Sequence, residues 1–239
     1  MGYGKMVRNS SGFWQKIVLD LNWQMKKLTY RTIENETQFE IAKIKWSRFL
    51  TYIFPCESKE NAENLLMQVK KEHFSATHHC SAWRLWVQVH EDLFGNVLID
   101  PKNSKANDDW EPTNTAWKPI LSVLEWEKLL NVFAVVVRYF WGTLLGVGGL
   151  IQAYTQATKE SLTSAKIIEK EILKEFELIH EYSQTSLVAH LMGKYGVKLI
   201  SEICEEKTKK ILTINQWLIT GFEKELFENS NGSLKIKIK

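Results

Sequence analysis

The chain is poor in cysteine, in net charge and in uninterrupted apolar sequence, and each shortage excludes something. Cys56, Cys80 and Cys204 stand far apart, with no CxxC pair and an odd count. That excludes a disulfide scaffold and fits buried thiols in a reducing, cytoplasmic compartment. A net charge of +3 is too small to mark a nucleic-acid binder, so a partner of that kind has to be argued from local patches. The opening "MGYGKMVRNSSGFWQKIVLDL" has no continuous apolar stretch, so no secretory signal is expected. One segment is long enough to span a membrane, "LLNVFAVVVRYFWGTLLGVGGLI" at 129–151, but it carries Arg138 near its middle. A charge there costs about 2.5–3.5 kcal/mol at a helix centre. The segment also divides into a β-branched run, a glycine loop and a helix start, so no membrane association is expected.

What the chain has is an ordinary globular composition, 44% hydrophobic and 25% charged. A substantial core can be buried. Alternation predicts two strands between Thr37 and Pro55, then a helix over 58–72 with Ser58 as N-cap. "HHCSAWRLWVQV" is a third strand, and the polar stretch 100–116 reads as a long loop. A helix near 118–129, a strand over 132–139, a glycine loop and a helix ending near 162 complete the first domain. The remainder reads as βαββαβ over about 75 residues, the ferredoxin-like order. The expected organisation is therefore α+β with two domains, 28–162 and 163–239. Residues 1–27 form a basic extension, either a phosphate-gripping arm or a mis-assigned start.

Several motifs carry candidate chemistry, each with a plainer reading. "GTLLGVGGLIQAY" precedes a helix, so its free N–H groups offer an anion site, although it lacks GK[ST] and a clean GxGxxG; a structural turn explains it equally. Asp108, Asp109 and Glu111 crowd into four residues. Such carboxylates can hold a cation or share a proton, or cap the following helix. His78 and His79 are adjacent on a strand and face opposite sides, so no zinc site is expected. No metal, cofactor or catalytic constellation is expected either. The terminal "SLKIKIK" puts Lys235, Lys237 and Lys239 on one face, either an edge protected by lysine or a basic, RNA-facing sheet.

Taken together, "KWSRFL", "ATHHCSAWR", "DDWEPTNTAWKPIL" and "VVVRYFWGTLLGVGGLIQAY" closely resemble the IMPACT/YigZ family over roughly residues 28–162. The segment 163–239 looks like that family's small C-terminal domain. The resemblance implies a first domain similar to the second domain of a small-subunit ribosomal protein, a fold shared with elongation factor G domain IV. It implies a ferredoxin-like second domain, similar to the C-terminal end of the same factor. It further implies a non-enzymatic regulator of translation and stress response that binds ribosome or RNA. Eukaryotic members instead act through a protein, competing for the co-activator of an initiation-factor kinase. A protein-binding module is therefore the alternative, and a hydrolase using the 108–111 carboxylates a further one. The surface it suggests comprises His78, His79, Asp108, Asp109, Glu111, Pro112, Thr115, Lys118, Arg138, Tyr139, Phe140, Gly142, Gly146, Gly148 and Gly149, with Arg138 expected on phosphate.

The departures from the family pattern share one form. The family writes glycine where this chain has Trp110, Trp117 and Trp141, and the same is expected of Trp86. Two explanations stand. One codon, UGA being the candidate, is translated here as Trp and read as Gly in its cell; or the tryptophans form an aromatic surface that stacks bases. Glycine is scarce, 12 in 239 residues or about 5%, where ~7% is usual.

Overall fold

The run Val132–Phe140, "VFAVVVRYF", forms a strand whose first seven residues are all buried. A β-branched run with no alternation belongs at the centre of a sheet covered on both faces. A computed structural model of the chain, describing residues 27–91 and 97–239, places it there. The elements are β1 (Thr29–Ile33), β2 (Thr37–Glu40), β3 (Ser47–Pro55), α1 (Lys59–Glu72), β4 (His78–Glu91), β5 (Val97–Asn107), α2 (Trp117–Trp126), β6 (Val132–Phe140) and α3 (Gly146–Ser164). They are followed by β7 (Ile167–Glu171), β8 (Leu173–His180), α4 (Thr185–Tyr195), β9 (Lys198–Cys204), β10 (Thr208–Asn215), α5 (Ile219–Asn229) and β11 (Ile236–Ile238). The chain divides into two units, Thr29–Lys170 and Glu171–Lys239, the latter joined by Leu28.

In the larger unit five antiparallel strands run in the order β2-β3-β6-β4-β5. Alternation sorts their side chains. Phe49, Ile53, Cys80, Ala82, Val132, Ala134 and Val136 meet α2 and α3 through Ile120, Leu124, Leu150 and Tyr154. Leu50, Tyr52, Phe54, Trp83, Leu85, Phe133, Val135 and Val137 face the other way, onto Ala62 and Val69 of α1. Ser58 caps α1 by accepting from the Asn61 N–H at 3.1 Å, as its sequence indicated. β1 pairs separately with β7.

In the smaller unit β8-α4-β9-β10-α5-β11 form a four-stranded antiparallel sheet in the order β11-β8-β10-β9. Its core is Phe176, Leu178, Val188, Leu212, Ile214, Phe222 and Leu226. The order is ferredoxin-like, and the chain as a whole is α+β with two units.

Three sequence expectations need correction. The stretch 97–107 is a strand, not a loop: it pairs with β4 from Glu91↔Val97 to Ser81↔Asn107, leaving 108–116 as the loop. The glycines at 146, 148 and 149 lie inside the first turn of α3 and not before it. The strand-like stretch 166–179 is two strands, β7 and β8, divided at the buried Ile172. The extension 1–26 lies outside the described residues. None of the helices among the described residues is long and apolar enough to cross a membrane.

Candidate functional site

The loop between β5 and α2 is fixed by its own first residue. The Asp108 carboxylate accepts from the N–H groups of Asn114 (2.8 Å), Ala116 (3.1 Å) and Trp117 (3.0 Å). It thus supplies the cap that α2 lacks locally, Ala116 having no side-chain oxygen. Thr115, buried, donates its hydroxyl to the Pro112 carbonyl at 2.6 Å, while Pro112 and Lys118 are exposed. Asp109 ties the loop to the sheet and to α1. Its carboxylate accepts from the His79 N–H at 2.7 Å and pairs with Lys70 at 3.0 Å. Burial works to raise the Asp109 pKa, but these donors outweigh it and hold it below the usual carboxylate range.

Glu111 then enters the core on the α2–α3 side. Its carboxylate lies 2.7 Å from Arg138 Nη1 and accepts from the Tyr154 hydroxyl at 2.7 Å. The guanidinium also donates to Ser47 Oγ at 3.2 Å, and lies 5.6 Å and 4.9 Å from the ring centres of Phe49 and Phe140. The Cys80 thiol donates to the Asp108 carbonyl and the Tyr154 oxygen. Burial raises both the Cys80 and the Tyr154 pKa. A His78 ring nitrogen sits 2.8 Å from the Asp109 carbonyl and its other nitrogen 3.8 Å from the Glu111 carboxylate.

His79 points through the opposite face, as strand alternation requires. One ring nitrogen is 3.1 Å from the His73 carbonyl. The His73 ring bridges the Tyr52 and Tyr139 hydroxyls at 2.6 and 2.8 Å. Two polar networks therefore flank one sheet, and the Asp108–Glu111 loop touches both. Burial depresses the His79 pKa, the Asp109 charge opposing it. A depressed folded value means a contribution to stability that is present above the imidazole's ordinary 6.5 and lost as pH falls through the folded value. Urea unfolding of the intact chain is therefore expected to show stability declining as pH falls below 6.5, and His79→Asn to flatten that decline.

Outside these networks, Lys43, Lys45, Trp46, Trp141 and Thr143 line an open groove. Lys45 and Trp46 are the two-residue turn between Ile44 and Ser47, and the Trp141 N–H donates to the Trp46 carbonyl at 3.0 Å. Trp141 stacks on Tyr139 at 6.0 Å. Gly142, Gly146 and Gly148 are exposed beside it. Among the described residues no side chain caps the first turn of α3, leaving its amides without a side-chain acceptor there.

The sequence-expected residues thus separate into two groups. Asp108, Asp109, Glu111, Thr115, His78, His79 and Arg138 form the interior networks, which Tyr139 joins through His73 and Phe140 through the Arg138 guanidinium, while Gly142 stands between the groove residues Trp141 and Thr143 and the other glycines open α3. Arg138 is 4% exposed and committed to Glu111, so it is not placed to make the phosphate contact expected of it. Lys239 pairs with Glu175 and Lys209 with Glu177, opposite which Lys237 lies, so the two carboxylates of the terminal sheet face meet part of its lysine charge. Among the described residues no three His, Cys, Asp or Glu side chains are grouped to hold a metal ion. His73 and Cys80 stand in "HFSATHHCSAW" and read in sequence only as metal-ligand types without a zinc spacing, and Tyr154 only as part of an apolar helix face; their hydrogen-bonding roles are not legible there. Sequence reasoning missed Tyr52 altogether.

A sheet covered on both faces, a ferredoxin-like unit and a buried Glu–Arg–Tyr network define a two-unit α+β protein with no membrane-crossing helix among its described residues. The Impact N-terminal domain model matches residues 45–162. The chain is 39% identical over 199 residues to an IMPACT family member of Haemophilus influenzae, covering 82% of this chain and 90% of that one. It is 31% identical to YigZ of Escherichia coli (82% and 91% covered) and 30% identical to YvyE of Bacillus subtilis (87% and 90%), both IMPACT family members. A crystal structure of a hypothetical protein superposes with a TM-score of 0.61 at 29% identity, covering 87% of this chain and 96% of that one. The chain belongs to the IMPACT family.

Proposed function

We propose that this protein is a non-enzymatic, translation-associated regulator of the cytoplasm that binds RNA, on the ribosome, through the groove beside the β2–β3 turn. The observation that carries the reading is the groove itself. Lys43 and Lys45 are exposed, and neither makes an ion pair among the described residues. Thr143 and the uncapped start of α3 add hydroxyl and amide donors. Cations with flanking backbone amides suit a phosphate chain, which is held mainly by charge. The interior carboxylates favour no hydrolytic reading, since Asp108, Asp109 and Glu111 all bond groups that fix the fold.

Binding of a labelled single-stranded RNA and of purified ribosomes tests this. Affinity is expected to fall steeply with salt, and the double variant Lys43→Ala, Lys45→Ala to reduce the slope of log K against log salt by about 2. A flat salt response, or unchanged binding in the double variant, overturns the reading. A protein retained after nuclease treatment would favour the protein-binding alternative.

A further inference from the structure

Among the described residues two tryptophans, Trp86 and Trp110, lie in the left-handed region of backbone space. We infer that at both positions the protein made in its own cell carries glycine, through a codon that the cell reads as glycine. The inference rests on backbone geometry and is independent of the RNA reading.

At 108–111 the Glu111 N–H donates to the Asp108 carbonyl at 3.0 Å, closing a four-residue turn. Its two central residues have φ of +43° (Asp109) and +70° (Trp110). Two consecutive positive φ values make a type I′ turn, and Asp-Gly is among the dipeptides that suit it. Asp109 suits the first place. Trp110 does not suit the second, since a bulky side chain is a genuine outlier there. Nor does burial compensate it: Trp110 is 95% exposed, whereas tryptophan is normally among the most buried residues.

Position 86 repeats the argument in a strand. Trp86 has φ +58° and is 42% exposed. It lies between the pairs Leu85↔Asn103 and Val87↔Pro101 of an unbroken register, just beyond Arg84↔Val132, where the pairing of β4 with β6 ends. A left-handed residue inside a strand is a place for glycine, which alone adopts that conformation without steric cost.

Three residues earlier the same strand shows a tryptophan in use. Trp83 is 5% exposed, donates from Nε1 to Asn103 Oδ1 at 2.8 Å and packs on Phe133 at 5.9 Å. Trp217 is likewise packed against the core of the smaller unit. Among the described residues Trp83 and Trp217 are thus packed against a core, Trp86 and Trp110 stand in a conformation suited to glycine, and Trp46 and Trp126 are exposed without positive φ. Two codons written as one residue would produce the first two groups. Trp117 and Trp141 have no positive φ, so the backbone argument does not extend to them.

Peptide mass spectrometry on the protein purified from its own cells tests the inference. Peptides across 86 and 110 are expected to be lighter by one indolylmethyl-for-hydrogen exchange per site, while 83 and 217 retain tryptophan. Tryptophan mass at 86 and 110, or UGG codons there, overturns it. As a second measurement, Trp86→Gly with Trp110→Gly in the recombinant chain is expected to raise Tm by about 5 °C, and Trp83→Gly to lower it. An unchanged or lower Tm in the double variant counts against the inference.

Discussion

Glu111→Ala is expected to destabilise the Thr29–Lys170 unit by about 3–5 kcal/mol, the usual cost of removing one partner from a buried ion pair. Glu111 and Arg138 are 7% and 4% exposed and 2.7 Å apart. Without the carboxylate, the guanidinium retains, among the described residues, only the side-chain hydrogen bond to Ser47 Oγ, and its Nε has no partner among them. Tyr154 loses its acceptor as well. Urea unfolding measures the loss, with Tm falling by about 10 °C. The double change Glu111→Leu, Arg138→Met separates the charge effect from the packing effect. Replacing both charges with apolar groups is often neutral or stabilising, so it should recover most of what the single change loses. A cost below about 1 kcal/mol for Glu111→Ala would mean that the pair is solvated and the network is not as described.

Phe222→Ala is expected to cost the smaller unit about 3–5 kcal/mol, the range for deleting a buried aromatic ring. The ring is fully buried, 5.4 Å from Phe176 and 5.7 Å edge-on from Tyr195. A unit of this size has little stability to spare, so the change approaches its whole margin. Hydrogen exchange in the full chain is the suitable measurement. Amide protection in β8 and β10 should collapse, while β3 and β6 keep theirs. Loss of protection across both units would show that they unfold together.

How far the sequence could be read depended on where the information lay. The continuous apolar run of β6, the Ser58 cap of α1 and the βαββαβ order are local signals. The family motifs, too, were legible directly. β5 was not, because "VLIDPKNSKAN" shows no alternation and its strand character comes from pairing along β4. Gly148 and Gly149 of α3 misled for a related reason, since glycine permits the helical region as well as the left-handed one, whereas Gly146 at φ +71° keeps the turn conformation. The role of Arg138 was the least accessible. A lone Arg in a motif looks like a ligand contact, and only the tertiary approach of Glu111, 27 positions away, reveals an interior brace. Asp108 is the converse case, a carboxylate in a polar loop whose capping role was among the readings available.

The end of the β4–β6 pairing at Arg84↔Val132 has a mechanical consequence. Past Arg84 the strand continues with β5 alone, as far as Glu91↔Val97. From that point the two strands form a ribbon anchored to the sheet at its base. Each strand of such a ribbon is held by hydrogen bonds along one side only, so its geometry is less firmly set by pairing than that of the five-stranded base.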